Sequence, residues 1–448
     1  MTDARPRPAA GFADAASRKP PVRTWLIGVA LGLLVALSLL GPFLTSLNLA
    51  VTGEGSPVRQ GGYFVCVLLA VAALRPLSDP ARLLAVPWPI TIALAWCLFS
   101  IGWALDPDIA ARRLVLTAAI IWTIFATVPR LGYERTVLLL QALLAIAVIA
   151  SYGAVVLYPA VGIHTVDELW DTKLLGDWRG VFLHKNAAGA VCAFAVILFA
   201  FERGRMPRAL QLAAVAAAAL FLWKSGSRTS VGVCAAALLA GFLFMRYHAR
   251  YRLLVVCLAC ALALGVGVYL NIWNDPLLQH TNDPDALTGR TLIWAALWRF
   301  MQDYPMGAGF GSFWNIGPDG PIYQYATGWV LEVKQGHNGF IDLIATIGWP
   351  GLAIVVFAVI VMPLVRLLAA PMPLGQRGAL VLAMIAFAVG HNATESSLFE
   401  RDVIVEVFLM LALALLWTIT AQPSRRAAPT PRRAGTRSPF GGAYGSRR

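Results

Sequence analysis

Residues 349–368 read WPGLAIVVFAVIVMPLVRLL, and Arg366 is the single charge among them. About 20 residues of this kind match a ~30 Å hydrocarbon layer, so the stretch predicts a membrane-spanning helix. Eleven further runs resemble it. Together the twelve fall at roughly 24–44, 59–75, 83–105, 110–129, 135–158, 185–201, 208–223, 228–245, 252–270, 349–368, 377–397 and 403–421. The first is too long for the apolar core of a cleaved signal peptide and reads as a retained anchor. Of the 448 residues, 58% are hydrophobic and 13% charged, where a soluble domain carries about 25% charged. The expected fold is an all-α integral membrane protein with about twelve transmembrane helices. Residues 24–421 form its membrane domain, and 271–348 a large outer loop carrying short interfacial helices. Residues 1–23 and 422–448, rich in Arg, Pro, Ala and Gly, lack an apolar face and are expected to be disordered.

The net charge of +13 invites a nucleic-acid reading, and the placement of the charge argues against it. Twelve spans put both termini on one side. That side holds 24 of the 36 Lys and Arg residues, in the termini and in short loops such as Arg203–Arg208 and Arg246–Arg252. The positive-inside rule makes this face cytoplasmic. The basicity is a topology signal, and no nucleic-acid partner is expected.

Polar groups at membrane depth are costly and mark functional sites. Here they gather on the outer side. His184, Lys185 and Asn186 open the sixth span. Lys224 and Arg228 flank the turn WKSGSRTS into the eighth. His391, Asn392 and Glu395 lie in the outer half of the eleventh. Arg179, Arg290 and His337 lie in the outer segments. A snorkelling anchor or an interhelical hydrogen bond explains any one of them. This variety at one depth suggests a polar cavity opening outward.

Two stretches of the large loop carry the most information. In DALTGRTLIWAALWRFMQDYP a helix is expected from near Thr288 to before Pro305. Its tryptophans, Trp294 and Trp298, suggest a place in the membrane interface. Arg290 in the first turn opposes the helix dipole, which an anion at the N-terminus would explain. In VKQGHNGFIDLIATIGWPG, residues 333–351, a short helix over Asn338–Ile347 is expected to stop at Gly348. Trp349, Pro350 and Gly351 then redirect the chain into the tenth span. His337, at the start of that helix, can exchange protons with a hydroxyl near neutral pH.

Other motifs carry less. Cys257 and Cys260 have CxxC spacing, but inside a lipid-length run and without a second ligand pair. Asp106-Pro-Asp108 and Asp283-Pro-Asp285 imitate the DxD of metal-dependent sugar transferases, yet Asp-Pro is a common turn former. MGAGFGSFW at 306–314 lacks the preceding strand that a dinucleotide fingerprint needs.

Three motifs together resemble the superfamily of O-antigen ligases and Wzy-type polysaccharide polymerases of bacterial membranes. SGSRTS around Arg228 is similar to its Ser-Arg turn, GRTLIW around Arg290 to the arginine of its large periplasmic loop, and GHNGFIDLIATIG to its histidine, ten residues and glycine. RGVFLHKNAAG at 179–189 resembles the branch that polymerises exopolysaccharide. The resemblance implies an inner-membrane enzyme with a periplasmic site. The implied substrate is an undecaprenyl-diphosphate-linked glycan, transferred with inversion to an acceptor sugar hydroxyl. It also implies His337, Arg290 and Arg228 as catalytic residues. The chemistry suits Arg179, Lys185 and Asn186 to diphosphate contacts and Glu395 to a sugar hydroxyl. No cofactor is expected, and the cationic groups can replace a metal. The acceptor is a second lipid-linked unit in a polymerase or lipid A core in a ligase, with polymerase slightly preferred. A transporter of lipid-linked sugars is the competing class, and it would place charges nearer the bilayer midplane.

Overall fold

The computed structural model describes residues 22–46, 56–76, 79–165, 174–204, 206–254, 289–318, 320–371 and 373–421. Twelve principal helices occupy them. They are α1 (Val22–Ser46), α2 (Pro57–Leu74), α3 (Trp88–Ser100), α4 (Pro107–Leu131), α5 (Tyr133–Leu157), α6 (Lys185–Phe201), α7 (Arg208–Lys224), α8 (Arg228–Met245), α9 (Arg290–Asp303), α10 (Gly339–Leu368), α11 (Gly375–His391) and α12 (Ile404–Ala421). No strand occurs among the described residues, where a lone bridge joins Ile163 to Trp178. Seven of the helices are long and apolar enough to cross a membrane, and α3 and α6 are shorter apolar helices. Eleven of the twelve expected spans therefore coincide with a helix. The ninth, 252–270, lies almost wholly outside the described residues, as do Cys257, Cys260, Asp283, Asp285, the tail 422–448 and nearly all of 1–23.

Two helices form the centre. Every residue of α6 from Ala188 to Phe199 is buried, and so is α12 from Ile404 to Leu416. Phe194 of α6 stacks on Phe408 of α12 at 4.5 Å and meets Phe387 of α11 edge-on at 4.8 Å. Around this core, outer faces keep large apolar side chains exposed, such as Phe64, Leu138, Ile149 and Leu239. A helix that is apolar all round, with one face on protein and one left bare, is what a lipid solvent allows.

Two boundaries differ from expectation. The third helix starts at Trp88, where Pro87 and Pro89 set its first turn, rather than near 83. The eleventh ends at His391, so Asn392 and Glu395 lie in the following loop rather than in the span. The cause is local: Asn392 Oδ1 accepts from the Ser397 amide at 2.9 Å and the Ser397 hydroxyl at 3.1 Å, which folds the chain into a turn. As expected, the helix before Gly348 stops at that residue, and the tenth span follows it across a kink. Gly348 sits there at φ 74°, ψ 178°, a region essentially reserved for glycine. A Cβ on it would come within 2.6 Å of the Pro305 carbonyl. The groups the kink frees find partners: Trp349 N–H donates to Pro305 O at 3.2 Å, and Trp96 Nε1 of α3 donates to Ile347 O at 3.0 Å.

Helix α9 packs its apolar stripe on protein. Ile293, Leu297, Phe300 and Met301 are buried in a second cluster with Phe313, Val330, Ile344 and Ala345. The apolar stripe is satisfied by the first half of α10 and by the loop, leaving Trp298 as its exposed tryptophan.

A candidate glycan-transfer site around Glu395

The loop between α11 and α12 carries the site. Its backbone is clamped to the turn before α10. Gly339 N–H donates to the carbonyls of Asn392 at 2.9 Å and Glu395 at 3.1 Å. A Cβ at 339 would fall 2.1 Å from Asn392 Oδ1, so only glycine lets the two turns approach. Asn338 caps α10, its Oδ1 accepting from the amides of Phe340 and Ile341, while its Nδ2 donates to Ala393 O at 3.1 Å. His337 adopts φ 51°, a left-handed conformation that is strained for a non-glycine residue. In this conformation its ring nitrogen Nδ1 lies 3.3 Å from Glu395 Oε2.

Glu395 gathers three residues from three segments. Its Oε1 accepts from Asn186 Nδ2 at 2.7 Å and from Arg290 Nη2 at 2.8 Å. Its Oε2 lies 3.3 Å from His337 Nδ1. Burial pushes this carboxyl up, but the His337 hydrogen bond and the Arg290 charge outweigh it and hold the group below the usual carboxylate range. Glu395 is therefore ionised at neutral pH. His337 Nδ1 also has Gln335 Nε2 at 3.4 Å. A single nitrogen cannot donate to the carboxylate and accept from the amide in one tautomer, and the ionised Glu395 requires a donor.

The remaining expected residues are dispersed around this centre. Lys185, next to Asn186, is paired with Asp177 at 2.6 Å. Asp177 in turn packs against Gly226 of the SGSRTS turn, and Trp178 N–H donates to Lys224 O at 3.0 Å. Arg228 is exposed as the first residue of α8. Its neighbour Thr229 is 2.8 Å from the hydroxyl of Thr394, so Arg228 opens beside the Glu395 loop. Arg179 Nε donates to Val161 O at 2.7 Å and its Nη2 to Ala160 O at 3.3 Å, holding a turn of the 158–163 segment rather than joining the Glu395 cluster.

A cavity of about 200 Å³ adjoins the histidine turn. Arg113, Trp314, Gln335, Asp342, Ser396 and Glu400 are among its walls. Gln335 touches both the cavity and His337, and Trp314 Nε1 donates to Asp342 Oδ1 at 2.9 Å. Sequence reasoning passed over Arg113, Asp342, Glu400 and Arg401. The signal existed for three of them: Arg113 is a charge inside an apolar run, and Glu400 and Arg401 belong to the charged triplet Glu400-Arg401-Asp402 between two spans.

Residues 212–356 match the family model for O-antigen ligase. This stretch is similar to the O-antigen ligase family. That span contains Arg228, Arg290 and His337, and Glu395 and Asn186 reach it from outside. The likeness and the long apolar helices agree in indicating a membrane protein. No curated protein matches the chain.

Proposed function

We propose that this protein is a member of the O-antigen ligase family and polymerises an undecaprenyl-diphosphate-linked glycan at the periplasmic face of the inner membrane. The observation that carries this reading is the convergence of Asn186, Arg290 and His337 on Glu395, because those residues supply the parts the reaction needs. With Nδ1–H directed at ionised Glu395, His337 keeps Nε2 as a base. The acceptor hydroxyl gives its proton to Nε2, and its oxygen attacks the anomeric carbon from the face opposite the diphosphate. The bond from that carbon to the diphosphate oxygen breaks, the diphosphate leaves with the electron pair, and the configuration inverts. Glu395 stabilises the imidazolium that forms. Both its oxygens are engaged by protein, so we assign it to positioning His337 and Arg290 rather than to holding a sugar hydroxyl.

Arg290 uses one guanidinium nitrogen on Glu395 and has further donors for the diphosphate. Exposed Arg228 opens beside the same loop, where its neighbour Thr229 meets Thr394. Together they neutralise charge on the leaving oxygen, as oriented cations do in other transition states. We read Lys185 and Arg179 as supporting the outer turns, with Lys185 free to meet phosphate if Asp177 releases it. In this reading the arginines act in place of a divalent metal, and activity survives EDTA. Loss of activity that Mg²⁺ restores would overturn that part.

The polymerase reading is preferred because Asn186, in the His-Lys-Asn sequence, is placed directly on Glu395. Purified protein given defined donor lipid should extend a lipid-linked acceptor, detected as multiples of the repeat by mass spectrometry. A single transfer onto lipid A core would make it a ligase. Movement of the donor across vesicles without new glycosidic bonds would make it a transporter.

A further inference from the structure

The cavity of about 200 Å³ beside the histidine turn has no part in the reaction assigned above. Its described walls include none of Arg228, Arg290 and Lys185, the cations that can meet the diphosphate. Its own charges are largely matched. Arg401 pairs with Glu400. Asp342 accepts from Trp314 Nε1 at 2.9 Å and from Gly336 N–H at 2.9 Å. Arg113 donates to the carbonyls of Gly311, Trp314 and Asn315, and the carboxylates of Glu400 and Asp106 oppose its charge. Lys334 is the exposed charge of the wall. Such a lining asks for a polar ligand that need not be an anion.

Two walls carry what a sugar ring needs. Gln335 lies 3.4 Å from His337 Nδ1. That nitrogen is committed to donating to Glu395, so it gives the Gln335 amide no bond. Gln335 has no other hydrogen bond among the described residues. Its carbonyl and NH₂ are therefore left for hydroxyls. Trp314 is fixed by its bond to Asp342 and by edge-on contact with Phe313 at 4.8 Å. A held indole offers an apolar plate for the C–H face of a sugar at little entropic cost. The volume lies below the ~300–1,000 Å³ of pockets for drug-sized ligands, which suits one ring.

The backbone points to the same place. Five non-glycine residues adopt positive φ among the described residues. Three of them, Asn315 at 55°, Phe399 at 57° and Arg401 at 23°, line this cavity, and His337 stands beside it. Strained backbone of this kind collects where a fold holds a ligand.

We propose that this cavity binds the sugar ring of the acceptor glycan whose hydroxyl attacks the donor, with Gln335 as its hydrogen-bonding group and Trp314 as its platform. The inference rests on the reaction proposed above for His337. An inverting displacement brings the acceptor from the side of the anomeric carbon away from the diphosphate. A pocket that reaches the base through Gln335, and shares no described wall with the diphosphate cations, is placed for that approach.

The test uses the full chain in neutral detergent, in a His337→Ala background that prevents turnover. The probe is the phosphate-free oligosaccharide released by mild acid from the lipid-linked glycan of the source cells. Its binding is read by saturation-transfer NMR, with inorganic diphosphate as the control. Gln335 is half-buried on a turn, so Gln335→Ala should fold, as its unfolding midpoint will show. It is expected to weaken oligosaccharide binding about tenfold, as for one lost hydrogen bond, and Trp314→Leu at least as much. Diphosphate binding should hold in both. With His337 restored, Gln335→Ala should raise KM for the acceptor and not for the donor lipid. Absent oligosaccharide binding, or binding unchanged in both variants, overturns the proposal. A rise in KM for the donor alone also overturns it, because the pocket would then hold the donor's sugar. Lack of transfer by the unsubstituted protein would sink the reaction reading alone, since sugar binding that depends on Gln335 and Trp314 would survive it.

Discussion

The two faces of the 392–403 loop solve the same problem in opposite ways. On one face a single carboxylate, Glu395, receives donors from α6, α9 and the turn before α10. On the other, arginines from α2 and α4 reach into the loops, and Arg113 gives its donors to carbonyls 198 to 202 residues away. The first arrangement leaves a histidine nitrogen and guanidinium donors open. The second directs its donors to backbone carbonyls from Arg113 and to Asp402 and Glu400 from Arg59 and Arg401. A cluster of ionisable groups is therefore informative about chemistry through what its hydrogen bonds leave over, not through its charge count.

Substitutions on the two faces should separate rate from stability. The largest effect is expected from His337→Ala, which removes the proposed base. Glycan transfer should fall by ~10²–10⁴ while the thermal unfolding midpoint in detergent stays near wild type. Transfer within a few-fold of wild type would break the comparison. Arg113→Met should act through folding instead, because it leaves buried carbonyls of the 311–315 segment unsatisfied at about 1–3 kcal/mol each. Its expected signature is a clearly lowered unfolding midpoint. Gly339→Ala should lower the midpoint too, since the added methyl meets Asn392 Oδ1 and forces apart the two turns that carry His337 and Glu395. The expected cost is about 1–3 kcal/mol, with a matching loss of rate, because here the scaffold and the chemistry coincide. Arg290→Lys keeps the charge and loses the fork, so transfer should drop about tenfold.

The smallest expected effect is in pH dependence. Folded Glu395 is held below its ordinary value of about 4.3. Its stabilising contribution is therefore complete above that value and disappears as pH falls through the lower folded one. The stability gap between wild type and Glu395→Gln should stay constant from pH 7 to 5 and close below about 4. Glu400 is also held low. Its burial, which raises it, is overcome by the Arg401 charge, so the far face should weaken over the same acid range.

Much of this was legible in the chain because lipid imposes a strong pattern. Apolar runs of fixed length reveal spans, and a histidine, an asparagine and a glutamate stand out against them. The kink at Gly348 was legible too, from glycine followed by Trp-Pro-Gly. The partners were not. Lys185 looked available for phosphate, but Asp177, eight residues earlier and across an irregular segment, neutralises it. Arg179 looked the same, and carbonyls at 160 and 161 hold it. Arg113 was absorbed into an apolar run, since its partners are backbone oxygens that no residue type announces. Single-chain pattern reports which groups are costly to bury, whereas the contacts that offset the cost are long-range.

The glycine at 348 has one more consequence, in the matching of protein to bilayer. The run Gly339–Leu368 is 30 residues long. As a straight helix it would measure ~45 Å, overrunning a ~30 Å hydrocarbon layer and tilting steeply to fit. Broken at Gly348, it leaves 349–368 as a span of about 30 Å, the thickness of that layer. The surplus nine residues become a shelf at the membrane's edge. One residue without a side chain thus converts a hydrophobic mismatch into the ledge on which His337 is carried.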